Sequence, residues 1–215
     1  MWQRSAPMDR NGPCEGLLTA TLSAQLRAET VDEHRKVEQK SGLPGVITSL
    51  AAYRACLQGF YRLYLPLEAM LMTFPGWNDL GIELPKLAHS PRLARDLQAL
   101  GMMPLHLLSA PPVSLPILLN FSNALGALYV LEGSTLGSQI ILRHLQQVLG
   151  PQIAGADSFF SGHGDQTSAM WHGFRTSLDR YGEQHPAHSP DVIQGAKATF
   201  LSIAGWMHPG WMCPR

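Results

Sequence analysis

Three polar residues are spaced to share one face of the first predicted helix. Arg27 and His34 lie seven residues apart, nearly two turns, and Glu38 follows His34 by one further turn. A carboxylate within reach of the second imidazole nitrogen is typical of a metal-ligating histidine. A cation two turns away could meet the carboxylate of a large ligand. Spacing alone still favours an ordinary solvated face, because the same turns carry four more charges: Asp32, Glu33, Arg35 and Lys36.

Three glycines interrupt a long apolar helix at Gly126, Gly133 and Gly137. Glycine inside a helix costs about 1 kcal/mol relative to alanine, so a pair at i and i+4 needs a reason. A helix face without β-carbons lets a flat ligand lie against the backbone, and it also permits a bend. Close packing of two helices would use the same face. The pair therefore predicts either a ligand surface or a helix contact.

Other motifs that carry chemistry are missing from the sequence. It contains no H-E-x-x-H, G-x-S-x-G or Walker motif, and it lacks the tetrad of a di-iron bundle. His185 and His188 lie in a proline-containing loop and are interpreted as ordinary loop polarity. The isolated histidines receive no role: His106, His144, His163, His172 and His208.

Composition narrows the class of protein. The 215 residues are 45% apolar and 15% charged, which is typical of a globular chain with one core. Sixteen basic residues balance sixteen acidic ones, so we expect neither nucleic acid nor a membrane as partner. The odd set of cysteines without a C-x-x-C pair, and an N-terminus without the apolar run of a signal peptide, predict a reduced, cytoplasmic protein: Cys14, Cys56 and Cys213.

Helical periodicity dominates the chain, and no strand-like alternation appears. We predict an all-α fold, a single-domain helical bundle of six to eight helices over residues 17–207. A disordered extension is expected at 1–16 and a loose tail at 208–215. The predicted helices cover approximately 18–40, 48–72 with a kink at Pro66, 90–101 with Ser90 as its cap, 115–149, 165–181 and 189–207, with a loop at 75–85.

Residues 110–131 carry no charge and are about long enough to span a bilayer. Three prolines and two asparagines interrupt this stretch, and Glu132 follows it. These residues favour a buried helix at the centre of a soluble bundle, with a membrane span as the less favoured alternative.

Both helices that could carry chemistry resemble those of haem oxygenases. Residues 26–30 and 34–38 resemble the proximal helix of that family, and residues 128–139 resemble its distal helix. The form Tyr-Val-Leu-Glu-Gly-Ser-Thr-Leu-Gly is similar to the bacterial branch, including members paired with phytochromes. Residues 159–160 and 170–174 are also similar to that branch.

This resemblance, which extends from about residue 18 to 206, implies roles for residues on both helices. His34 would be the axial ligand of the haem iron, and Glu38 its hydrogen-bonding partner. Arg27 and Tyr129 match positions that meet the haem propionates. Arg175 could also reach a propionate, but the alignment at this position is open by one residue, so no role is assigned to it.

The distal helix would supply the residues nearest to bound oxygen. Gly133 and Gly137 match glycines that let this helix cross closely over the haem. Ser134 stands where mammalian-type members have an aspartate that orders water, a serine that bacterial relatives share. We take these three as the catalytic residues, and the source of the ordered water stays unassigned. Ser138 replaces a third glycine of many relatives and would narrow the pocket slightly.

The resemblance implies a haem oxygenase, with haem as substrate and cofactor. Oxygen and electrons from an external reductase would give biliverdin, carbon monoxide and ferrous iron, and a phytochrome that accepts biliverdin is a further expected partner. A non-catalytic haem sensor or store would use the same residues and stays open as the alternative. A helical enzyme acting on thiamin-like pyrimidines is less favoured, because Cys56 lacks an evident acidic partner.

Overall fold

The computed structural model describes residues 20–103 and 113–207. The predicted extension at 1–16 and tail at 208–215 lie outside the described residues, as do Cys14, His106, His208 and Cys213. The described part is all-α, with short 3-10 turns and no strand. Seven of its helices have eight residues or more, as the sequence predicts. The α-helices are α1 (Leu22–Glu29), α2 (Val31–Ser41), α3 (Leu50–Leu71), α4 (Leu84–Leu87), α5 (Ser90–Ala99), α6 (Phe121–Val148), α7 (Ser158–Ser161), α8 (Thr167–Gln184) and α9 (Ser189–Trp206).

The prediction of a single helix over residues 18–40 is wrong, because the helix is interrupted at Thr30 and forms two helices, α1 and α2. This residue leaves helical geometry, at φ −115° and ψ 5°, and is buried. Its hydroxyl donates to the carbonyl of Leu26 at 2.7 Å, a local bond that competes with helical continuation. Arg27 therefore lies on α1, whereas His34 and Glu38 lie on α2. Two backbone hydrogen bonds still cross the junction, from Thr30 to Leu26 at 3.0 Å and from His34 to Thr30 at 2.9 Å, so α2 follows α1 directly at this corner.

The helix α6 begins at Phe121 rather than near residue 115. Asn120 is its N-cap, and the side-chain oxygen of Asn120 accepts from the backbone N–H of Asn123 at 2.9 Å. Residues 113–119, which include Pro116, are irregular. By length and composition α6 is the one helix among the described residues that could cross a membrane, and 44% of its most apolar window is buried.

The packing of α6 against α9 forms the centre of the bundle. At Gly126 an added β-carbon would overlap the backbone carbonyl of Val192, and at Gly195 one would overlap the backbone of Asn123. Each helix therefore presents a glycine to the backbone of the other. Because α9 also packs against α1 and α2, it supports all three helices that carry the predicted site.

Buried polar contacts fix α5 against its neighbours. The carboxylate of Glu68, on α3, accepts from the backbone N–H groups of His89 at 2.6 Å and Ser90 at 3.1 Å. It also accepts from the Ser90 hydroxyl at 2.5 Å. Ser90 is thus the first residue of α5 and not its cap, because a carboxylate from another helix satisfies the free N–H groups.

The remaining boundaries differ little from the prediction. Pro66 lies inside a continuous α3. The predicted loop at 75–85 contains a 3-10 turn at Asn78–Leu80 and the start of α4. The helix α8 begins two residues later than expected and ends three residues later, whereas α9 ends within one residue of the predicted position.

Candidate functional site

His34 is presented on the exposed side of α2. Its side chain is 56% exposed, and its Nδ1 lies 3.6 Å from Oε1 of Glu38, which is 67% exposed. Phe200 of α9 packs edge-on against the imidazole, with 5.8 Å between the ring centroids. With Nδ1 turned toward a carboxylate, Nε2 is the atom available to a metal.

Tyr129 marks a point where three helices converge. The half-buried phenol on α6 lies near the Thr30 side chain, at the corner between α1 and α2. Burial raises the pKa of Tyr129, opposed by a hydrogen bond with Thr30 and by the positive charges of Arg175 and Arg27. Both guanidinium groups therefore act on one phenol, and both arginines are exposed. Together with Tyr129 they can bind an acidic ligand at this corner.

Arg175 is a residue that sequence reasoning left unassigned. It lies on α8, and its positive charge, like that of Arg27 on α1, lowers the pKa of Tyr129. Trp171, one turn earlier on α8, packs against Tyr129 with ring centroids 5.5 Å apart and ring planes inclined by 44°. The tertiary contact of α8 with α6 creates this proximity, so the local sequence offers no pattern that would reveal it.

Gly133 and Gly137 are not explained by helix packing. An added β-carbon at Gly137 would meet no described atom within 4 Å outside its own stretch of helix. One at Gly133 would meet only the edge of the Trp171 indole, at 3.6 Å, an ordinary van der Waals distance. On the same side of α6, Leu136 and Ile140 are 46% and 58% exposed. This stretch of α6 is therefore an open, apolar surface with little side-chain bulk.

Ser134 has a hydroxyl partner that the sequence did not indicate. Its Oγ donates to the carbonyl of Leu131 at 2.6 Å and lies 3.0 Å from the hydroxyl of Tyr64 on α3. Because the proton of Ser134 is engaged by Leu131, Tyr64 is the donor in the second bond. Burial raises the pKa of Tyr64, so it stays neutral. Ser138, one turn later, is buried and its hydroxyl contacts the Ser134 carbonyl at 3.3 Å.

A buried ionic cluster lies behind this stretch of α6. The Glu132 side chain is 1% exposed, and its two oxygens lie 3.3 Å from Nε2 of His89 and 3.4 Å from Nε2 of His163. Nδ1 of His163 lies 3.1 Å from a guanidinium nitrogen of Arg92. His163 was interpreted from the sequence as isolated, and the structure places it in this cluster. The partners come from three separate segments, so spacing along the chain could not bring them together.

Part of the chain is similar in sequence to proteins of a known family. A sequence model of the heme oxygenase family matches residues 20–105. The heme oxygenase of Xanthomonas campestris pv. campestris (strain 8004) is 36% identical over 110 residues, which cover 51% of this chain and 61% of that protein. The first half of the chain is thus similar in sequence to haem oxygenases.

Solved haem oxygenases share the fold of this chain. The heme oxygenase of Neisseria meningitidis, solved in NO- and CO-bound forms, matches with a TM-score of 0.64 and 20% identity over 90% of this chain and 93% of its own. The heme oxygenase of Leptospira interrogans matches with a TM-score of 0.67 and 21% identity, over 88% of this chain and 100% of its own. The all-α haem oxygenase fold predicted from the sequence is confirmed.

The haem oxygenase sequence match covers only part of the predicted site. The region matched by the family model contains Arg27, His34 and Glu38. It ends before α6, so the open glycine surface rests on its motif and on its geometry. The aligned region also spans under two thirds of the Xanthomonas relative.

Proposed function

We propose that this protein is a haem oxygenase that cleaves haem to biliverdin, carbon monoxide and ferrous iron. The observation that carries the proposal is the convergence of Arg27 and Arg175 on Tyr129, next to the helix that presents His34. A pair of cations beside a phenol suits the two propionates of haem, and an exposed imidazole suits its iron.

The described residues fit haem in shape and in polarity. The imidazole of His34 has Nδ1 toward Glu38, so Nε2 would hold the iron. Val31, one turn before His34, is 50% exposed although apolar. On α6 the open surface at Gly133 and Gly137 lacks β-carbons and would let a flat macrocycle approach the backbone. Exposed apolar residues beside charged anchors are what a porphyrin with two carboxylates requires.

Bound haem would supply the iron that activates oxygen and the macrocycle that is oxidised, with electrons from an external reductase. The chain's own residues bind and orient. Glu38 would hold the Nδ1 proton of His34, which fixes the tautomer and the direction of the ring. Arg27, Arg175 and Tyr129 would neutralise and anchor the propionates, and so set the rotation of the macrocycle in its site.

Hydroxyl groups, and no strong acid, would face the oxygen side. With the protons of Ser134 and Tyr64 engaged as described, the lone pairs of both oxygens can accept from a water molecule. Ser134 would therefore order water without delivering a proton itself. Gly133 and Gly137 would keep this region free of side-chain bulk.

Further parts of the proposal concern the whole protein. We infer a cytoplasmic enzyme whose haem oxygenase domain covers residues 17–207, with a short extension before it and a tail after it. Its partners would be an electron-donating reductase and a phytochrome that accepts biliverdin. The balanced charge of the chain supports neither nucleic acid nor a membrane surface as partner.

A hemin titration tests whether the site exists. Purified protein should give a sharp Soret band that saturates at one equivalent of hemin. His185→Ala removes an exposed histidine far along the chain and should leave the titration unchanged, whereas His34→Ala should lose the signature of axial imidazole. Ascorbate and oxygen then separate an enzyme, which forms biliverdin, from a haem store, whose Soret band persists. Broad absorbance without saturation would exclude both.

A further inference from the structure

The buried cluster behind Gly133 holds most of the unsatisfied polar atoms of the described residues. Four of the five buried side-chain atoms without a conventional hydrogen bond belong to it: His89 Nε2, Arg92 Nη1, Glu132 Oε1 and His163 Nε2. Buried polar groups are seldom left unpaired, so this concentration calls for a functional explanation.

Proton positions in the cluster follow from Arg92. A guanidinium can only donate, so Nδ1 of His163, 3.1 Å from an Arg92 nitrogen, must accept. Neutral His163 then carries its proton on Nε2, which points at Glu132 Oε2 at 3.4 Å. That nitrogen cannot also hold a metal, and no set of three metal-ligating side chains occurs in residues 20–103 and 113–207. The cluster is therefore a proton-ordered charge site.

The cluster has its negative charge at the buried end and its positive charge nearer to solvent. Glu132 lies on α6 next to Gly133, with its side chain 1% exposed, and half-buried Arg92 lies on the far side of His163. Burial would raise the pKa of Glu132, yet its close contacts with His163 and His89 hold that pKa below its ordinary value. The negative charge of Glu132 thus lies on α6, the helix that carries the open glycine surface, and the positive charge of Arg92 lies further from that surface.

Two further titratable groups near this cluster belong to α3. Tyr64 and Glu68 interact electrostatically with one another, and Tyr64 also experiences the charge of Glu132. Tyr64 in turn donates to Ser134, on the open surface of α6. The field of Glu132 therefore reaches a group at the oxygen side of the site.

We propose that Glu132 is a positioning residue for the haem reaction, a fixed buried anion, held by His89 and His163, that favours the protonated state of water on the open surface of α6. This role rests on the proposed function. His89 and His163 tie α6 to α5 and to the turn before α8, so the same contacts fix Gly133 and Ser134 in place.

The first test needs no haem. Nitrogen-15 spectra of the haem-free protein at neutral pH should show His163 with a protonated Nε2 and a bare Nδ1. Carbon-13 spectra should show an ionised Glu132. A protonated Glu132, or His163 with its proton on Nδ1, would overturn the proposal whatever the protein does with haem.

The second test measures the pH at which water on the ferric haem loses a proton, followed in the visible spectrum. Glu132→Gln keeps the shape but removes the anion, so this pH should fall by roughly half a unit or more. Arg92→Gln removes the outer cation and should raise it, which keeps the test available if the first variant fails to fold. Asp96→Asn neutralises another fully buried carboxylate, one that binds Ser158 and Phe159, and should leave the pH unchanged.

The outcomes separate the two proposals. A saturable hemin complex whose transition is the same in the wild type, Glu132→Gln and Arg92→Gln overturns the role of Glu132 alone. Failure to form any hemin complex overturns the proposed function, and the role of Glu132 in it, although the tautomer of His163 would still be observed.

Discussion

Nδ1 of His34 lies 3.6 Å from Oε1 of Glu38, one turn further along α2. Both side chains are more than half exposed, so the pair contributes little to the free energy of unfolding. Its geometry suits a ligand histidine, because the carboxylate would accept a hydrogen bond from Nδ1–H and leave Nε2 free to bind a metal.

Glu38→Gln should weaken the bond between iron and His34 without unfolding the protein. An amide is a poorer acceptor than a carboxylate, so the imidazole becomes a weaker electron donor. In the ferrous haem complex the iron–histidine stretching frequency, measured by resonance Raman spectroscopy, should fall. Asp32→Asn on the same helix, whose carboxylate pairs with Arg35, is the matched control. Equal frequencies in wild type and Glu38→Gln would contradict the pairing.

Arg175→Gln and Arg27→Gln should each weaken haem binding, because a charge-assisted bond to a propionate contributes about 1.5–3 kcal/mol. The expected loss of affinity is roughly ten- to a hundredfold for each variant. Affinity for the dimethyl ester of the porphyrin, which lacks the carboxylates, should be the same in variants and wild type. A loss that is equal for acid and ester would assign the arginines to folding and not to the propionates.

Gly137→Ala and Gly126→Ala should change the free energy of unfolding in opposite directions. At Gly137 the new methyl meets open space, so the free energy of unfolding should rise by up to about 1 kcal/mol, while turnover of haem slows. At Gly126 it would overlap the Val192 backbone and should destabilise by about 1–3 kcal/mol or more. Urea unfolding and biliverdin yield on one sample report both effects. A destabilised Gly137→Ala with normal yield per folded molecule would show that Gly137 packs against a helix.

Glu132 should make stability depend on acid pH. Its pKa in the folded protein lies below the ordinary 4.5, so its contribution is present above that pH and is lost as pH falls through the folded pKa. The difference in unfolding free energy between wild type and Glu132→Gln should therefore shrink below about pH 4.5. Urea unfolding at a series of pH values measures it. A difference that stays constant down to pH 3 would show that the folded pKa is not lowered.

Local pattern was enough for the helices and for part of the site. His34 and Glu38 are one helical turn apart, as are Gly133 and Gly137. Residues at this spacing lie on the same helix face however the helix packs in the fold. The break at Thr30 escaped prediction because it depends on a buried side-chain hydroxyl and on the packing of the corner between α1 and α2.

Tertiary contacts account for what the sequence could not reveal. Tyr64 meets Ser134 across 70 residues, and Arg92 meets His163 across 71. Such contacts leave no periodic trace, since each partner looks like an ordinary polar residue in its own segment. The start of α6 was misplaced for a simpler reason: the apolar residues from 115 continue the helical pattern, but the Asn120 cap determines where the helix begins.

The proposed function requires that the protein cleave haem at a site built on His34. The most direct measurement is the carbon monoxide released per haem when the hemin complex is given ascorbate and oxygen, with catalase present to remove free peroxide. The wild type should release one equivalent while the Soret band is replaced by biliverdin absorbance. His34→Ala should release little, and added imidazole should restore part of it. A stable Soret band without carbon monoxide in the wild type, or full release from His34→Ala without imidazole, would contradict this account.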